Sequence, residues 1–320
     1  MKTVIFGCGK IAKRIAKGFS FVEGNELVGF ASRDVEKAKS YAEEFNTPLY
    51  GNYDFFLNNN DIDAVYLATY NLNHYELIKK CLEHHKHVIC EKPMLSDIDE
   101  NNELFDLAKN NNCLLMEAMK AVFLPINIKV KQMIKDGIIG EVKYIEASFI
   151  RGPRHPEDHW IYDLKTGGAL KDLGSYCAAI MNFMTDVKPN VIYKYSNNTD
   201  KLADTITEIN VDYDGINGHL LVSNEITGDS SLNIYGTNGY IKIPEFWKVG
   251  KGYYVVNGER FELNEEMKND FYYEIQHFTN LVNNKIYTDV TAQRNKWLAD
   301  GHAEASDWTD AQVRNNTYRI

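Results

Sequence analysis

The chain contains 320 residues, 44% of them hydrophobic and 25% charged, and its formal net charge is −10. This length predicts about two domains, each large enough to bury an ordinary core. Plentiful apolar residues exclude collagen-like and disordered chains. The acidic balance argues against nucleic acids and anionic membranes as partners, because both bind basic surfaces.

The apolar and cysteine patterns bear on where the protein resides. No apolar run reaches the roughly 18 residues that a membrane span requires. Residues 3–6 form a short apolar run that leads directly into a glycine turn, which is typical of a folded strand and not of a signal peptide. The five cysteines are odd in number and widely spread along the chain. We therefore predict a reduced, cytoplasmic protein.

Short apolar runs alternate with helical patterns in the first third of the chain. The runs lack period-two alternation, as expected of parallel strands that are covered on both faces. Between the first two runs, Ile11, Ile15 and Phe19 recur at helical spacing. This alternation predicts crossover connections and a doubly wound α/β sheet. The predicted strands lie at residues 3–6, 26–31, 63–69, 87–91 and 113–118.

The pattern changes after about residue 120. Strands then follow one another directly, separated by turn signals such as Asp214-Gly215 and Asn257-Gly258. Successive strands predict a large, mainly antiparallel sheet, so we expect an α/β domain over residues 1–120 and an α+β domain over residues 121–320. Helices are predicted over 122–136 and 168–184, and strands over 141–150, 190–196, 207–213, 218–226, 231–235, 239–243 and 253–263.

A glycine turn follows the first predicted strand. Residues 7–12 read G-x-G-x-x-A and open an amphipathic helix. In such a turn Gly7 allows a tight bend, Gly9 lets a pyrophosphate approach the backbone, and Ala12 allows close helix–strand packing. A tight structural turn is the alternative, but the strand–turn–helix context favours a Rossmann dinucleotide-binding domain.

The end of the second predicted strand bears on the choice between NADP and NAD. Classical NAD sites carry an acidic residue about 20 residues beyond the glycines, whereas this chain has Ser32 followed by Arg33. A hydroxyl and a guanidinium suit a 2′-phosphate. The alternative is that Asp34 binds the ribose, but Asp34 is better placed as the N-cap of a helix over 35–45. We therefore favour NADP(H), with NAD(H) as the alternative.

Two further groups of residues have positions suited to chemistry. Lys92, in Glu91-Lys92-Pro93, follows the fifth predicted strand, where ligands of open α/β sheets bind. In the second domain, Asp172 and Tyr176 are four residues apart and share one helix face if this segment is helical. A helix cap and a core tyrosine would be the structural alternative for this pair.

Six motifs follow one another along the chain. They are GCGKIA at 7–12, ATYNLNH at 68–74, EKP at 91–93, MEAMKAVFLP at 116–125, DGIIGEVKYIEASF at 136–149 and GGALKDLGSY at 167–176. Together they resemble the superfamily of glucose-fructose oxidoreductase, inositol dehydrogenase and dihydrodiol dehydrogenase (Gfo/Idh/MocA). The resemblance covers residues 1 to about 185, while residues 190–285 agree only in architecture. The tyrosine at the end of the last motif is that of the dihydrodiol and aldose dehydrogenase branch.

The resemblance implies a nicotinamide-dependent oxidoreductase that interconverts CH–OH and C=O in a carbohydrate, polyol or vicinal diol, with hydride transfer in the interdomain cleft. It assigns the acid/base role to Tyr176, with Lys92 beside it, and Asp172 would orient the substrate hydroxyls or the lysine. A phenol with an ordinary pKa near 10 is a poor base at neutral pH, and a neighbouring ammonium stabilises its phenolate. The residues expected to contact the cofactor are Gly7, Gly9, Lys10, Ile11, Ser32, Arg33, Thr69, Asn71, His74, Glu91 and Lys92.

The remaining expectations concern substrate, metal and partners. A polar loop contributes Arg151, His159 and Trp160 as substrate-binding candidates, although an exposed loop without such a role is the alternative. No metal is expected, because the histidines at 84, 85 and 87 lack a matching ligand group elsewhere. The resemblance implies a homodimer or larger homo-oligomer formed through the second sheet. A non-catalytic dinucleotide-sensing regulator is the alternative function, but retention of Lys92, Asp172 and Tyr176 favours catalysis.

Overall fold

A computed structural model describes residues 1–95, 97–153, 159–187 and 189–287 of the chain. The chain folds into two compact units. One unit contains Met1–Met119 and the described residues 271–287, and the other contains Lys120–Asp270. No helix among the described residues is long and apolar enough to cross a membrane.

The first unit is a doubly wound α/β structure. Its six-stranded sheet has the order β3-β2-β1-β4-β5-β6, and every strand pair is parallel. The elements are β1 (Lys2–Phe6), α1 (Lys10–Phe19), β2 (Glu26–Ala31), α2 (Val35–Glu44), β3 (Leu49–Gly51), α3 (Tyr53–Leu57), β4 (Ala64–Leu67), α4 (His74–Glu83), β5 (His87–Glu91), α5 (Ile98–Asn110) and β6 (Leu115–Ala118).

The strands of this sheet form the core of the unit, as their continuous apolar runs predict. Val4, Ile5 and Phe6 are fully buried, and β4 and β6 are buried along their whole length. The predicted α/β class and all five predicted strands are confirmed. Strand β3 was not predicted, because three residues are too few to show a periodicity. Since all the strands are parallel, their carboxyl ends and the loops that follow lie at one edge of the sheet.

The second unit contains an eight-stranded sheet of order β14-β13-β12-β11-β7-β10-β9-β8. Its neighbouring strands are antiparallel except for the parallel pair β7 and β10, which confirms a mainly antiparallel sheet. Its elements are α6 (Pro125–Lys135), β7 (Val142–Ile150), α7 (Ser175–Thr185), β8 (Asn190–Ser196), β9 (Ile206–Asp212), β10 (Asn217–Ser223), β11 (Ser231–Gly236), β12 (Gly239–Pro244), β13 (Lys251–Val256) and β14 (Glu259–Asn264).

One predicted strand of the second unit is wrong in extent. The segment 253–263 is a hairpin of two strands, β13 and β14, and not a single strand. The chain reverses at Asn257 and Gly258, which have φ values of 53° and 84°. Two consecutive positive φ values are typical of a tight hairpin turn, and Asn-Gly is the dipeptide that adopts them most readily.

A final helix, α8 (Tyr272–Asn283), belongs to the first unit and was not predicted. Asn25 donates a hydrogen bond of 3.0 Å to the Thr279 hydroxyl, and the Arg14 guanidinium lies 4.9 Å from the centre of the Phe271 ring. These contacts attach the helix beside α1. The chain therefore crosses between the units twice, whereas the sequence analysis places residues 121–320 in one domain.

Candidate functional site

The glycine turn after β1 has the geometry of a phosphate-binding turn. Gly7 has a φ of +103°, and a Cβ placed on it would lie 2.5 Å from the carbonyl oxygen of Ala68, so only glycine fits. A Cβ on Gly9 would meet no atom within 4 Å, so the backbone there faces open space. Lys10 and Ile11 are the first residues of α1. Their N–H groups are among those at a helix start that lack partners within the helix.

The start of α1 is electrostatically suited to an anion. No side chain caps this end of the helix, and its first turn contains no acidic residue. The helix dipole and the backbone N–H groups therefore favour negative charge at this point. Tyr41 of α2 donates a hydrogen bond of 3.2 Å to the Gly9 carbonyl, which links the turn to the next helix.

The turn after β2 confirms the expected role of Asp34. Its carboxylate caps α2 and accepts a hydrogen bond of 3.2 Å from the Lys37 N–H. The Ser32 hydroxyl in turn accepts one of 3.2 Å from the Asp34 N–H. Arg33 is exposed and forms no ion pair with any residue that the structure describes. The acidic side chain is thus held at the helix start, while the guanidinium is available to a ligand.

Lys37 is a basic residue near the glycine turn that the sequence analysis missed. Burial raises the pKa of the Cys8 thiol to about 11, and the positive charge of Lys37 opposes that rise. Lys37 is an exposed residue in the first turn of α2, and its charge acts on the Cys8 thiol of the glycine turn. Its position four residues after Arg33, at the start of the predicted helix, is the signal that sequence reasoning had available.

The loop after β4 contains Thr69 and Asn71, and His74 begins α4 directly after it. All three are predicted cofactor contacts. The buried His74 ring bridges two loops: Nδ1 lies 3.2 and 3.0 Å from the carbonyl oxygens of Pro93 and Met94, and Nε2 lies 3.3 Å from that of Thr69. Burial lowers the pKa of His74. In its neutral form the ring carries one N–H, which it donates to one of these carbonyl groups, so the polar contacts of His74 are with the backbone of the loops after β4 and β5.

Thr69 offers a different kind of contact. Its Oγ1 is buried and has no hydrogen-bond partner among the described residues. Such an orphaned polar atom costs free energy unless a ligand satisfies it. The open space at Gly9 and the unpartnered Thr69 hydroxyl both fit a dinucleotide bound along this edge of the sheet.

Lys92 lies in the loop after β5, directly before a cis Lys92–Pro93 peptide bond. Beyond that bond, Met94 donates its N–H to Glu117 Oε1 at 2.8 Å. Glu91, at the end of β5, accepts a hydrogen bond of 2.9 Å from the hydroxyl of the buried Tyr66. The predicted lysine is therefore held on both sides by hydrogen bonds to buried groups.

Glu117 is the second residue that the sequence analysis missed as a candidate. Its side chain is fully buried in β6, and burial raises its pKa to about 7, an effect opposed by the Met94 N–H and by the charge of Lys92. A single acidic residue within the apolar run 113–118 was the available signal. Buried carboxyl groups of this kind cluster at functional sites.

In the second unit, Asp172 and Tyr176 lie on one continuous helical segment. The segment begins as a π-helical turn, Leu170–Gly174, and continues as α7. Between residues 170 and 181 only Lys171, Asp172 and Tyr176 are not buried. The predicted pair thus shares the accessible face of the helix, and π-helical turns occur often at functional sites.

The ring of Phe149 brings a predicted substrate residue and the predicted acid/base together. Tyr176 contacts it edge-on at 5.6 Å between ring centres, and the Arg151 guanidinium lies 4.8 Å from its centre. Trp247, which the sequence analysis did not select, stacks on the same ring at 3.6 Å. Arg151 forms no ion pair with the described residues, so its charge is available beside Tyr176.

His159 and Trp160 begin a short turn that packs against the start of the same helical segment. Gly168 donates its N–H to the Ile161 carbonyl at 2.8 Å. A Cβ on Gly167 would lie 2.2 Å from that carbonyl oxygen. The glycines therefore allow close packing within the protein itself. The neighbouring loop residues Arg154, His155 and Asp158 lie outside the described residues.

No group of three His, Cys, Asp or Glu side chains among the described residues is arranged to hold a metal ion. His87 accepts a hydrogen bond of 2.9 Å from the Leu114 N–H, and burial lowers its pKa to about 4. His84 Nδ1 lies 2.8 Å from the Lys80 carbonyl oxygen. Both side chains thus contact the protein's own backbone.

The sequence matches two family models. Residues 1–119 match the oxidoreductase family with an NAD-binding Rossmann fold, GFO/IDH/MocA, and residues 127–242 match the GFO/IDH/MocA C-terminal domain. Among curated relatives, trans-1,2-dihydrobenzene-1,2-diol dehydrogenase of Xenopus laevis is 31% identical over 225 residues, covering 69% of this chain and 68% of the relative. A dTDP-3,4-didehydro-2,6-dideoxy-alpha-D-glucose 3-reductase of Actinomadura kijaniata is 34% identical over 173 residues, covering 54% of this chain and 52% of the relative.

Solved structures share the whole fold. A 3-ketoreductase from Actinomadura kijaniata, crystallised with NADP and TDP-benzene, has a TM-score of 0.83 at 22% identity, covering 99% of this chain and 94% of the other. An aldose-aldose oxidoreductase from Caulobacter crescentus, complexed with glycerol, has a TM-score of 0.83 at 19% identity with the same coverage. These relatives and solved structures are all named as enzymes, and none of them favours a non-catalytic role for this chain.

The burial of Glu117 predicts a pH-dependent contribution to stability. Its folded-state pKa of about 7 exceeds the ordinary value of 4.5, so the folded state keeps a proton that the unfolded state loses. The free energy of unfolding should therefore fall as pH rises through this window, by up to about 1.4 kcal/mol per pH unit. Urea unfolding of wild type and Glu117→Gln at pH 5 to 8 measures it. We expect the wild type to lose stability relative to Glu117→Gln with rising pH. A difference in the free energy of unfolding that stays constant with pH would contradict the raised pKa of Glu117.

Proposed function

Since the chain belongs to the GFO/IDH/MocA family of oxidoreductases, we propose that it transfers hydride between NADP(H) and a carbohydrate, polyol or vicinal diol. The reaction interconverts CH–OH and C=O. The observation that carries the cofactor part of this proposal is the uncapped start of α1 directly behind the Gly7 turn. The named activities of the relatives, which are dehydrogenation of a dihydrodiol and reduction of a keto sugar, support the substrate class.

The dinucleotide would lie along the carboxyl edge of the first sheet. The amides at the start of α1 would hold its pyrophosphate, and the buried Thr69 hydroxyl would gain a partner. When bound, the nicotinamide supplies the hydride acceptor or donor. The other expected contacts, Asn71, His74 and Glu91, follow β4 or end β5 at the same edge.

NADP(H) is favoured over NAD(H) by the charges at the end of β2. Arg33 is exposed without an ion pair among the described residues, and the charge of Lys37, in the first turn of α2, acts on the Cys8 thiol of the glycine turn. The one carboxylate in this turn, Asp34, is engaged as a helix cap. A 2′-phosphate would therefore meet two cations and the Ser32 hydroxyl there. The ketoreductase of Actinomadura kijaniata was crystallised with NADP, which agrees with this preference.

Tyr176 and Lys92 would divide the proton chemistry between them. In the oxidative direction the hydride leaves the carbinol carbon and the hydroxyl proton passes to the Tyr176 phenolate, and reduction reverses both movements. The Lys92 ammonium stabilises the phenolate or the developing alkoxide. Asp172, on the accessible face with Tyr176, would orient the substrate hydroxyls or the lysine.

The substrate side of the second unit combines aromatic and polar groups. Phe149 presents a ring between Arg151 and Tyr176, and the turn with His159 and Trp160 packs at the start of the same helix. Aromatic surfaces with a few precisely placed polar groups are typical of small-molecule sites. Arg151, His159 and Trp160 therefore remain the proposed substrate contacts.

A homodimer through the second sheet is part of the proposal. A row of tyrosines crosses four neighbouring strands: Tyr144 contacts Tyr235, Tyr235 contacts Tyr240, and Tyr240 contacts Tyr253. Tyr235 is 40% exposed. Aromatic residues are enriched in protein interfaces.

The cytoplasmic location also stays a prediction, with which the five free cysteines agree.

Removal of the Arg33 charge tests the cofactor preference. Arg33→Ala should weaken NADP(H) binding tenfold or more, about 1.4 kcal/mol, and leave NAD(H) binding nearly unchanged. Titration calorimetry with both cofactors measures this, and Lys80→Ala removes an equal charge from the exposed surface of α4 as the control. Equal losses for the two cofactors, or no loss in Arg33→Ala, would contradict the role.

Removal of the Tyr176 hydroxyl tests the acid/base role. Tyr176→Phe should lower kcat by about 10² to 10⁴ and leave the Kd for NADP(H) unchanged, because the glycine turn lies in the other unit. Steady-state kinetics with a panel of aldoses, ketoses and vicinal diols measures it. Tyr193→Phe, at an exposed position of β8, is the matched control. Unchanged turnover in Tyr176→Phe would rule out this mechanism.

A charge within the tyrosine row tests the dimer. Tyr235→Glu should convert a dimer into a monomer, because burying an unpaired charge in an interface is costly. Light scattering after size exclusion gives the mass. Tyr50→Glu, at an exposed position of the first unit, should leave the mass unchanged. A wild-type monomer, or a Tyr235→Glu dimer, would contradict the proposed interface.

A further inference from the structure

Glu117 is a fully buried carboxyl group whose two oxygens have different surroundings. Oε1 accepts the N–H of Met94, which lies two residues beyond Lys92, at 2.8 Å. Oε2 is buried and has no hydrogen-bond partner among the described residues. An ionised carboxylate in this position lacks the two or more donors that usually accompany a buried charge. The site therefore holds a carboxyl group that is only half satisfied, and its satisfied half is bonded to the Lys92 loop.

The groups facing Glu117 come from three elements of the first unit. Lys92 and Glu91, at the end of β5 and in the loop after it, act on it with opposite charges, and the Cys90 thiol of β5 feels its charge. His74, at the start of α4, contacts the Met94 carbonyl and so borders the same loop. Among these side chains, Lys92 is the cation that favours an ionised Glu117.

The protonation of Glu117 is finely balanced between these influences. Burial raises the pKa of Glu117 to about 7, while the Met94 N–H and the Lys92 charge oppose that rise. A neutral Glu117 does not offset the charge of Lys92. An ionised Glu117 offsets part of that charge, and the loop carrying Lys92 stays anchored in either state because Oε1 accepts the Met94 N–H in both.

We propose that Glu117 is a positioning residue that acts on the reaction through Lys92, by anchoring the Lys92 loop and by setting, through the proton on its free oxygen, the net charge that Lys92 presents. The inference rests on the role given to Lys92 in the proposed function. As pH rises and Glu117 releases its proton to solvent, the stabilisation of a phenolate or alkoxide by Lys92 weakens. Glu117→Gln keeps the anchor and remains neutral at every pH.

The first experiment needs no catalytic activity. The carbonyl stretching band of a protonated carboxyl group is followed by infrared spectroscopy against pH in the full-length protein. The band lost in Glu117→Gln should titrate near pH 7 in the wild type. Glu103→Gln, a matched change at a surface carboxylate paired with Lys79, should retain this infrared band.

The coupling to Lys92 is tested by the same band. Because coupling between two sites is reciprocal, Lys92→Met should move the midpoint to higher pH, since a charge that favours ionisation has gone. An unmoved midpoint in Lys92→Met would overturn the proposal. So would the absence of the band from the wild type at pH 6.

The second experiment measures kcat/KM against pH in the wild type, Glu117→Gln and Glu117→Asp, with a substrate from the panel and NADP(H). The ratio of Glu117→Gln to wild type should rise about fivefold between pH 6 and 8.5, which corresponds to about 1 kcal/mol of charge interaction. Glu117→Asp keeps the carboxyl group and should restore the wild-type profile. A ratio that is constant with pH indicates a merely structural role and would overturn the proposal.

The two experiments separate this inference from the proposed function. If no panel substrate is turned over but the infrared midpoint moves in Lys92→Met, the Glu117–Lys92 coupling stands and the proposed function fails. If substrate is turned over by a Tyr176-dependent reaction while the midpoint and the kcat/KM ratio stay fixed, the proposed function stands and the inference fails.

Discussion

The contact between Gly7 and the carbonyl of Ala68 is the constraint on which the nucleotide end of the first sheet depends. It holds the turn after β1 against the end of β4, at a distance that leaves no room for a Cβ. The turn therefore has one shape, which places the start of α1 beside the open space at Gly9. The Asp34 cap and the loops joined by His74 follow β2, β4 and β5 and so lie at the same edge of the sheet.

The glycine turn and the parallel sheet were predictable because their causes are local. A turn with a positive φ requires glycine wherever it occurs, and strands covered on both faces are apolar throughout. Asp34 was predictable as a cap for the same reason, since its partner, the Lys37 N–H, lies three residues away. Short or composite elements were harder: β3 has only three residues, and the predicted strand 253–263 contains its own turn.

The features that escaped prediction depend on residues distant in the sequence. The importance of Glu117 comes from Met94 and Lys92, which lie more than 20 residues earlier and on a different strand and loop. The helix α8 joins the first unit through contacts with residues near the start of the chain, which lie more than 250 positions away in the sequence. Arg151 and Tyr176 meet at Phe149 only because β7 and the helical segment pack together. No local pattern reports such contacts.

In the proposed function the two units supply different parts of the chemistry, and the central claim is that they act in one hydride transfer. Incubation of the protein with NADPH deuterated at the transferable position of the nicotinamide, together with a panel of keto sugars, tests this most directly. We predict that mass spectrometry finds one deuterium on the new carbinol carbon, and that Tyr176→Phe forms this labelled product at least about a hundredfold more slowly. Failure to label any carbonyl substrate by a protein that binds NADPH would contradict the account.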